Sequence, residues 1–350
     1  MKPRFAMYWA AGCGGCDIAV LNVNELLLEV GEAFDVVFWP AAMDAKYADV
    51  EAMPDGSIDL TLFTGGIRNE ENREIARLLR AKSKTLVAFG SCACEGCIPG
   101  LANLSTVDEI LAASFAADRA DTADAAGPVL RWTSPEGPVL RLPGLLPLVR
   151  TLDQTVPVDY YLPGCPPESA RIAEVLQAVI AAIHGGPALP PRGSILGAGI
   201  STVCEQCTRT RNEKRIAGFV RIQDLERIDP VLCLLEQGLP CNGPATRDGC
   251  GALCPAAGMP CIGCYGPTQG VLDGGARLLS AFASVVDATE PEDVERILEG
   301  IPDPIGQAYR CNLPASLLRG SRKAVAAAEA AAREPEGAAA EQRELVGSAT

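Results

Sequence analysis

The amino-acid sequence predicts an α/β fold, a doubly wound and mostly parallel sheet followed by a second, loop-rich domain. Strand-like apolar runs alternate with helical patterns through the first half of the chain. Loops carrying glycine and cysteine follow three of those runs. Beyond the Pro/Gly stretch "GGPALPPRGS" at 185–194 the periodicity weakens and cysteines crowd in. The alternation is that of a sheet of flavodoxin or Rossmann type, with helices on both faces.

In chain order, "RFAMYWAA" reads as a first strand and "IAVLNVNELLLEVGEA" as helix. "FDVVFWPA" and "IDLTLFTGG" read as strands, "NEENREIARLLRAKS" as helix and "KTLVAFGS" as strand. After a gap, "VDYYLPG" is strand and "ESARIAEVLQAVIAAIHGG" helix. The Ala/Asp-rich segment 112–144 interrupts the rhythm and looks like an insertion, or a helix plus a hairpin. The segment "FTGGIRNEENREI" could seat an anion at a helix N-terminus, but a tight strand-to-helix turn capped by Asn69 or a neighbour explains it more simply. A flavodoxin-like domain is therefore expected over 1–190 and a second domain over 195–315, with helical stretches at "VLCLLEQG" and "GVLDGGARLLSAFASVV". An Ala/Glu-rich tail, a frayed helix or a disordered segment, follows over 316–350.

A chain of 350 residues has room for about two domains. Its net charge of −14 argues against nucleic acid or an anionic membrane as partner, because either would select a basic face. The run "PVLRLPGLLPLVR" is broken by Pro143, Pro147 and arginines, so no membrane span is expected. The opening "MKPRFAMYWAAGC" mimics a short signal peptide, but it lacks a twin arginine and cleavage would fall beside the first cysteines. A soluble, cytoplasmic protein is expected.

Fifteen cysteines would suit a disulfide framework only in a small secreted chain. Reduced thiolates in an α/β chain of this size are more often metal ligands, and the single histidine, His184, reads as a surface residue at a helix end. In parallel sheets, functional groups gather in the loops after the strands' carboxyl ends. "GCGGC", "GSCACEGC" and "PGCPPES" fall in such loops, so Cys13, Cys16, Cys92 and Cys165 converge on one site. "GCGGC" does not match G-x-G-x-x-G, and a dinucleotide reading is weak; no cofactor is expected beyond the metal centres.

Four thiolates suit zinc or an iron–sulfur cluster equally. The second domain adds eight more. Sequence proximity groups Cys204, Cys207, Cys233 and Cys241 at one centre, and Cys250, Cys254, Cys261 and Cys264 at another. Crossed ligation, as in two-cluster ferredoxins, is the rival grouping. Cys94, Cys97 and Cys311 are left over, Cys311 reading as a small buried side chain. Three all-thiolate sites in a row make sense as an electron relay, and a zinc-stapled scaffold is the reading from another class.

The ordered set "CGGC", "GSCA", "IPGLANL", "PGCPPES", "CEQCTRTRNEK" and "CLLEQGLPCNGPATRDGCGALCPAAGMPCIGCYGP" resembles the small subunit of [NiFe] hydrogenases. The nearest likeness is the cytoplasmic methyl-viologen-reducing, deazaflavin-non-reducing type. It spans about residues 3–315, and its first part also resembles the cluster-bearing quinone-module subunit of respiratory complex I.

The resemblance implies three [4Fe–4S] clusters: proximal on Cys13, Cys16, Cys92 and Cys165; medial on Cys250, Cys254, Cys261 and Cys264; distal on Cys204, Cys207, Cys233 and Cys241. It implies a large subunit holding the Ni–Fe centre, and an electron-accepting flavin or iron–sulfur subunit of ferredoxin-like or heterodisulfide-reductase type. Asp17 stands where relatives carry an acidic residue near the active site, for proton relay or as a helix N-terminal carboxylate satisfying backbone amides. The extra cysteines of "GSCACEGC" depart from the family pattern. Cys94 or Cys97 could replace Cys92, bind a further metal, or act as a redox thiol pair, and the partner could have lost its Ni–Fe site while the relay persists.

Overall fold

The computed structural model describes residues 2–116, 130–135, 137, 139–212, 215–288 and 290–333. Its strands are β1 (Arg4–Trp9), β2 (Asp35–Phe38), β3 (Ile58–Thr64), β4 (Ile67–Asn69), β5 (Ser83–Phe89), β6 (Arg131–Thr133), β7 (Val139–Arg141), β8 (Leu145–Arg150) and β9 (Tyr160–Leu162). Five of them form one parallel sheet in the order β2-β1-β3-β5-β9. Counted among themselves these strands run 2-1-3-4-5, the flavodoxin-like order, whose ligands sit beyond the strands' carboxyl ends.

Both faces of the sheet are buried, because helices cover each. From α1 (Gly15–Leu21), α2 (Leu26–Ala33) and α8 (Ser169–Ile183), residues Ala19, Val20, Leu26, Val30, Ile172 and Leu176 pack on Phe5, Met7, Val87 and Phe89. Opposite, Ile75, Ala76 and Leu79 of α4 (Glu70–Lys82) pack on Ala6, Tyr8, Leu86 and Ala88. The alternation of neighbouring strand residues between the two cores is the period-2 pleat. The expected cap of α4 is present: the Asn69 side chain accepts from Asn72 N at 2.8 Å. The single helix read into 18–33 is instead α1 and α2, parted at Asn24, whose φ of +56° is left-handed backbone that asparagine tolerates.

Between β2 and β9 lie three short helices, α3 (Tyr47–Glu51), α5 (Ser91–Glu95) and α6 (Cys97–Gly100), followed by α7 (Val107–Ala116). The helix-plus-hairpin reading of 112–144 matches α7 and the antiparallel β6–β7 pair, residues 117–129 lying outside the described residues. The Pro/Gly linker does not leave the sheet at once. Leu196 N donates to Tyr161 O at 2.7 Å, and Ile195 bridges Tyr161 in parallel, so the linker's end runs along β9.

From Val203 onward a third core gathers Ile216, Phe219, Leu234, Leu239, Leu278 and Phe282, with Cys241 and Cys261 among them. It is bounded by α9 (Val203–Gln206), α10 (Leu253–Ala256), α11 (Gly274–Ala283), α12 (Pro291–Glu299) and α13 (Pro304–Tyr309). The helix expected at "VLCLLEQG" is absent, and the stretch is a set of turns. Competing bonds take the carbonyls that a helix would need: Arg209 Nη1 and Gln237 Nε2 both donate to Leu232 O, at 2.9 Å each. The tail begins as α14 (Arg322–Ala331), capped by Ser321 and anchored by a fully buried Ala324; residues 334–350 lie outside the described residues.

Candidate metal centres

Three loops reach the carboxyl edge of the sheet from three parallel strands: residues 10–14 after β1, the α5–α6 turn after β5, and 163–168 after β9. They and the helix starts beside them carry all the cysteines assigned to the first site. Cys13 is exposed, whereas Cys16, Cys92 and Cys165 are half-buried. The neighbours of Cys16 include Cys13 and Cys165, and Thr64 hydrogen-bonds its sulfur.

Gly90, between β5 and α5, makes room for Cys16. A Cβ there would lie 2.4 Å from the Cys16 sulfur, and its φ of +81° with ψ of 157° is backbone that only glycine adopts freely. Gly90→Ala is therefore expected to displace Cys16 and cost about 1–3 kcal/mol in strain. Metal content is expected to fall in part while the fold persists, an outcome read from metal per chain beside circular dichroism.

Cys94 turns away from this site. Its thiol donates to Ala88 O at 3.2 Å and is buried against β5. Cys97 is fully buried and lies beside Cys165, a cysteine of the first site. Cys311 is the small buried side chain expected, 2% exposed, and His184 is exposed at the end of α8.

Asp17 is buried in the first turn of α1, where its Oδ1 accepts from the Trp39 indole N–H at 3.0 Å. Oδ2 has no hydrogen-bond partner among the described residues, and burial pushes the carboxyl above its usual range.

In the second unit the structure rings two cavities with the two sequence-proximal groups of four. Cys204, Cys207, Cys233 and Cys241 line a cavity of about 310 Å³, with Arg209, Arg211 and Arg277 at its walls. Cys250, Cys254, Cys261 and Cys264 line another of about 540 Å³, which Cys165 also borders. Gly243 closes the first, since a Cβ there would stand 3.2 Å from the Cys204 sulfur and 3.6 Å from that of Cys241.

Burial pushes the Cys16, Cys204 and Cys264 thiols up to about 12, and the nearby thiols add to it. A cation gripped by such sulfurs stabilises their thiolates, so metal binding and deprotonation go together. Among the described residues no group of three or more His, Cys, Asp or Glu side chains is drawn together as ligands of a single ion. Four thiols around a cavity, with no imidazole, fit the donor set of a [4Fe–4S] cluster.

The three sites adjoin one another. Cys165 lines the same cavity as Cys264, joining the first site to the second cavity. Cys261 N donates to the Cys241 sulfur at 3.3 Å, joining that cavity to the other. Polar residues invisible to motif reading hold these loops. The buried Arg209 bonds Pro255 O at 2.7 Å as well as Leu232 O, tying the Cys254 loop to the Cys233 loop. Gln206 Oε1 accepts from Gly249 N at 2.9 Å and Gly251 N at 3.0 Å, and Asn242 Nδ2 donates to Ile262 O and Gln307 O. Their only sequence signal is their position inside the cysteine motifs.

Across the junction of the two units Ser91 Oγ donates to Cys264 O, and Glu168 N donates to the Tyr265 hydroxyl oxygen at 3.1 Å. Glu95 also lies there. Burial, and then the charge of Asp153, push its carboxyl up to about 8 against the opposing pull of Arg247.

Residues 13–179 match the family model of the NADH ubiquinone oxidoreductase 20 kDa subunit. The chain is 37% identical, over 91% of its length and 98% of the relative's, to an F420-non-reducing hydrogenase iron–sulfur subunit of Archaeoglobus profundus. It is 36% identical, over 91% of its length and 96% of the relative's, to the F420-non-reducing hydrogenase subunit of the same kind from Methanothermobacter marburgensis. Among solved structures, a chain of an NAD⁺-reducing [NiFe]-hydrogenase in the H₂-reduced state is similar at 33% identity and a TM-score of 0.44, over 55% of this chain and 96% of that one. With two full-length relatives of one kind, the chain belongs to the family of F420-non-reducing hydrogenase iron–sulfur subunits, and so to the hydrogenase oxidoreductases.

Proposed function

We propose that this chain is the electron-transfer subunit of a cytoplasmic [NiFe]-hydrogenase complex. It relays electrons from H₂ oxidised in a large subunit through three [4Fe–4S] clusters to a flavin or iron–sulfur partner of ferredoxin-like or heterodisulfide-reductase type. Cys13, Cys16, Cys92 and Cys165 hold the proximal cluster, Cys250, Cys254, Cys261 and Cys264 the medial, and Cys204, Cys207, Cys233 and Cys241 the distal. A cluster held by four such thiolates supplies one-electron transfer.

The observation that carries this reading is the unbroken succession of sulfur sites. Cys165 shares a cavity wall with Cys264, and the Cys261 amide donates to the Cys241 sulfur. A scaffold stapled at separate points would not need its staples to adjoin.

The two ends of the succession differ in surface. Cys13 is exposed on the edge where Trp9, Ile18 and Leu21 are 46%, 56% and 47% exposed, an apolar face suited to a large, permanent partner. At the other end Arg211 and Arg277 flank the distal cavity in a chain of net charge −14, a local basic rim suited to an acidic acceptor. No helix among the described residues is long and apolar enough to cross a membrane, which agrees with a cytoplasmic site.

The test is metal content and H₂-dependent dye reduction of the complex, purified without oxygen. About twelve iron atoms per copy of this chain are expected, with nickel in the partner and reduction of a viologen dye under H₂. Iron without nickel would leave a relay serving a different oxidoreductase, and zinc without iron would leave a scaffold; either result overturns the proposal.

A further inference from the structure

The turn that carries Cys261 and Cys264 also borders a much smaller cavity, with Asn242, Thr246, Gly263, Gly274 and Asn312 on its walls. About 10 Å³ of it is open to the centre of a water molecule, which is room for one. Glycine keeps that space from closing. A Cβ on Gly274 would lie 2.5 Å from Asn312 Nδ2, and one on Gly263, whose φ is +93°, would lie 3.3 Å from Asn242 Nδ2.

The polar groups on these walls are not all paired within the protein. Asn312 follows α13 and is 9% exposed. Its amide donates to Tyr309 O at 3.1 Å and its carbonyl accepts from Ser316 N at 3.0 Å, so its backbone is complete. Its side-chain Oδ1 is buried and has no hydrogen-bond partner among the described residues. Bulk solvent does not reach that oxygen, and an amide oxygen left unpaired in the interior destabilises the fold.

Thr246, 2% exposed, donates its hydroxyl proton to Asn242 O at 2.6 Å, which leaves its oxygen able to accept. The Cys261 sulfur reaches the same oxygen at 3.6 Å. Asn242 already uses both Nδ2 protons, on Ile262 O and Gln307 O. The walls therefore offer two side-chain oxygens, Asn312 Oδ1 and Thr246 Oγ1, as acceptors. No charged side chain borders the cavity, which favours a neutral occupant over a metal ion.

We propose that this cavity is a binding site for one water molecule, which donates one proton to Asn312 Oδ1 and the other to Thr246 Oγ1. The water bridges the segment after α13 to the segment between Cys241 and Cys250, and backs the hydroxyl that faces the Cys261 sulfur. Its effect on electron transfer rests on the ligand assignment above. With Cys261 as a cluster ligand, Thr246 and its water stabilise the negative charge added on reduction, because hydrogen bonding around the sulfurs helps to set the potential.

The test is a crystal structure of the complex, prepared without oxygen, at a resolution that shows ordered waters. Expected is one peak in the cavity, about 2.8 Å from both Asn312 Oδ1 and Thr246 Oγ1. Asn312→Leu, close in volume but unable to accept, should remove the peak and keep the iron content. In a redox titration followed by electron paramagnetic resonance, the same variant should lower the midpoint potential of one cluster and leave the others in place.

A wild-type cavity without a peak overturns the proposal, as does a peak ringed by oxygens at metal-ion distances or one that survives in Asn312→Leu. Loss of the peak with every potential unchanged overturns the effect on electron transfer. If Asn312→Leu does not assemble, the wild-type density decides alone. A complex without iron defeats the relay reading, while the density in the cavity still decides this one.

Discussion

Replacing Cys261 with serine is expected to remove about four of about twelve iron atoms and to loosen the whole second unit. Cys261 is 6% exposed, one of the sulfurs lining the larger cavity, and a member of the third core. Its amide donates to the Cys241 sulfur, so the change reaches the neighbouring cavity as well. This unit is made of short helices and turns whose loops meet at the cysteines, and metal binding energy in such a unit is folding energy. A fall of about 10 °C or more in melting temperature is expected for the iron-loaded complex, together with loss of iron by elemental analysis. Cys311→Ser, equally buried, should leave the iron count untouched. Equal iron in the Cys261→Ser and wild-type complexes would remove Cys261 from the ligand set.

The second large effect lies far from any cysteine. Asp159 stands before β9 with its side chain 8% exposed, accepting from Arg80 Nη1 at 2.7 Å, Arg192 Nη1 at 2.6 Å and the buried Leu86 amide at 2.8 Å. Its own amide donates to Leu86 O at 2.9 Å, and its carbonyl accepts from Gly193 N at 2.7 Å. One carboxylate thus joins β5, the approach to β9 and the linker to the second unit. Asp159→Ala would take the counter-charge from the Arg80 guanidinium, 19% exposed, which keeps only backbone carbonyls such as Ser83 O, and leave the Leu86 amide without its partner. A loss of about 3–5 kcal/mol follows from removing one partner of a buried pair. Arg192→Ala, at a side chain 66% exposed, should cost no more than about 1 kcal/mol. Chemical denaturation of the two variants tests this, and equal losses would refute the buried-pair account.

The parallel sheet and most of its helices were legible because period-2 and period-3.6 patterns report burial on a face, and both faces here are buried. Failures occur where tertiary bonds outbid local preference. "VLCLLEQG" carries a helical pattern, yet Arg209 and Gln237 draw its carbonyl groups into turns around Cys233. The run from Ile18 to Ala33 breaks at Asn24, because a side chain that tolerates left-handed backbone sits where the chain must turn to keep both halves on the sheet. Asp17 stands in the first turn of α1, as its place after the first cysteine motif implies, but the Trp39 indole from beyond β2 also holds it, a contact that no local pattern encodes.

The fold class, the cysteine inventory and the loops that carry it can be read from the linear chain, because strand ends and cysteine spacing are local properties. Which sulfurs are neighbours emerges from the folded molecule alone: Cys165 with Cys264 on one cavity, Cys261 with Cys241. Such pairs are set by the order of strands in the sheet and by buried side chains such as Ser91 and Arg209 that tie remote loops together. Contacts between residues far apart in the chain depend on how three cores pack, and linear spacing carries no record of that packing.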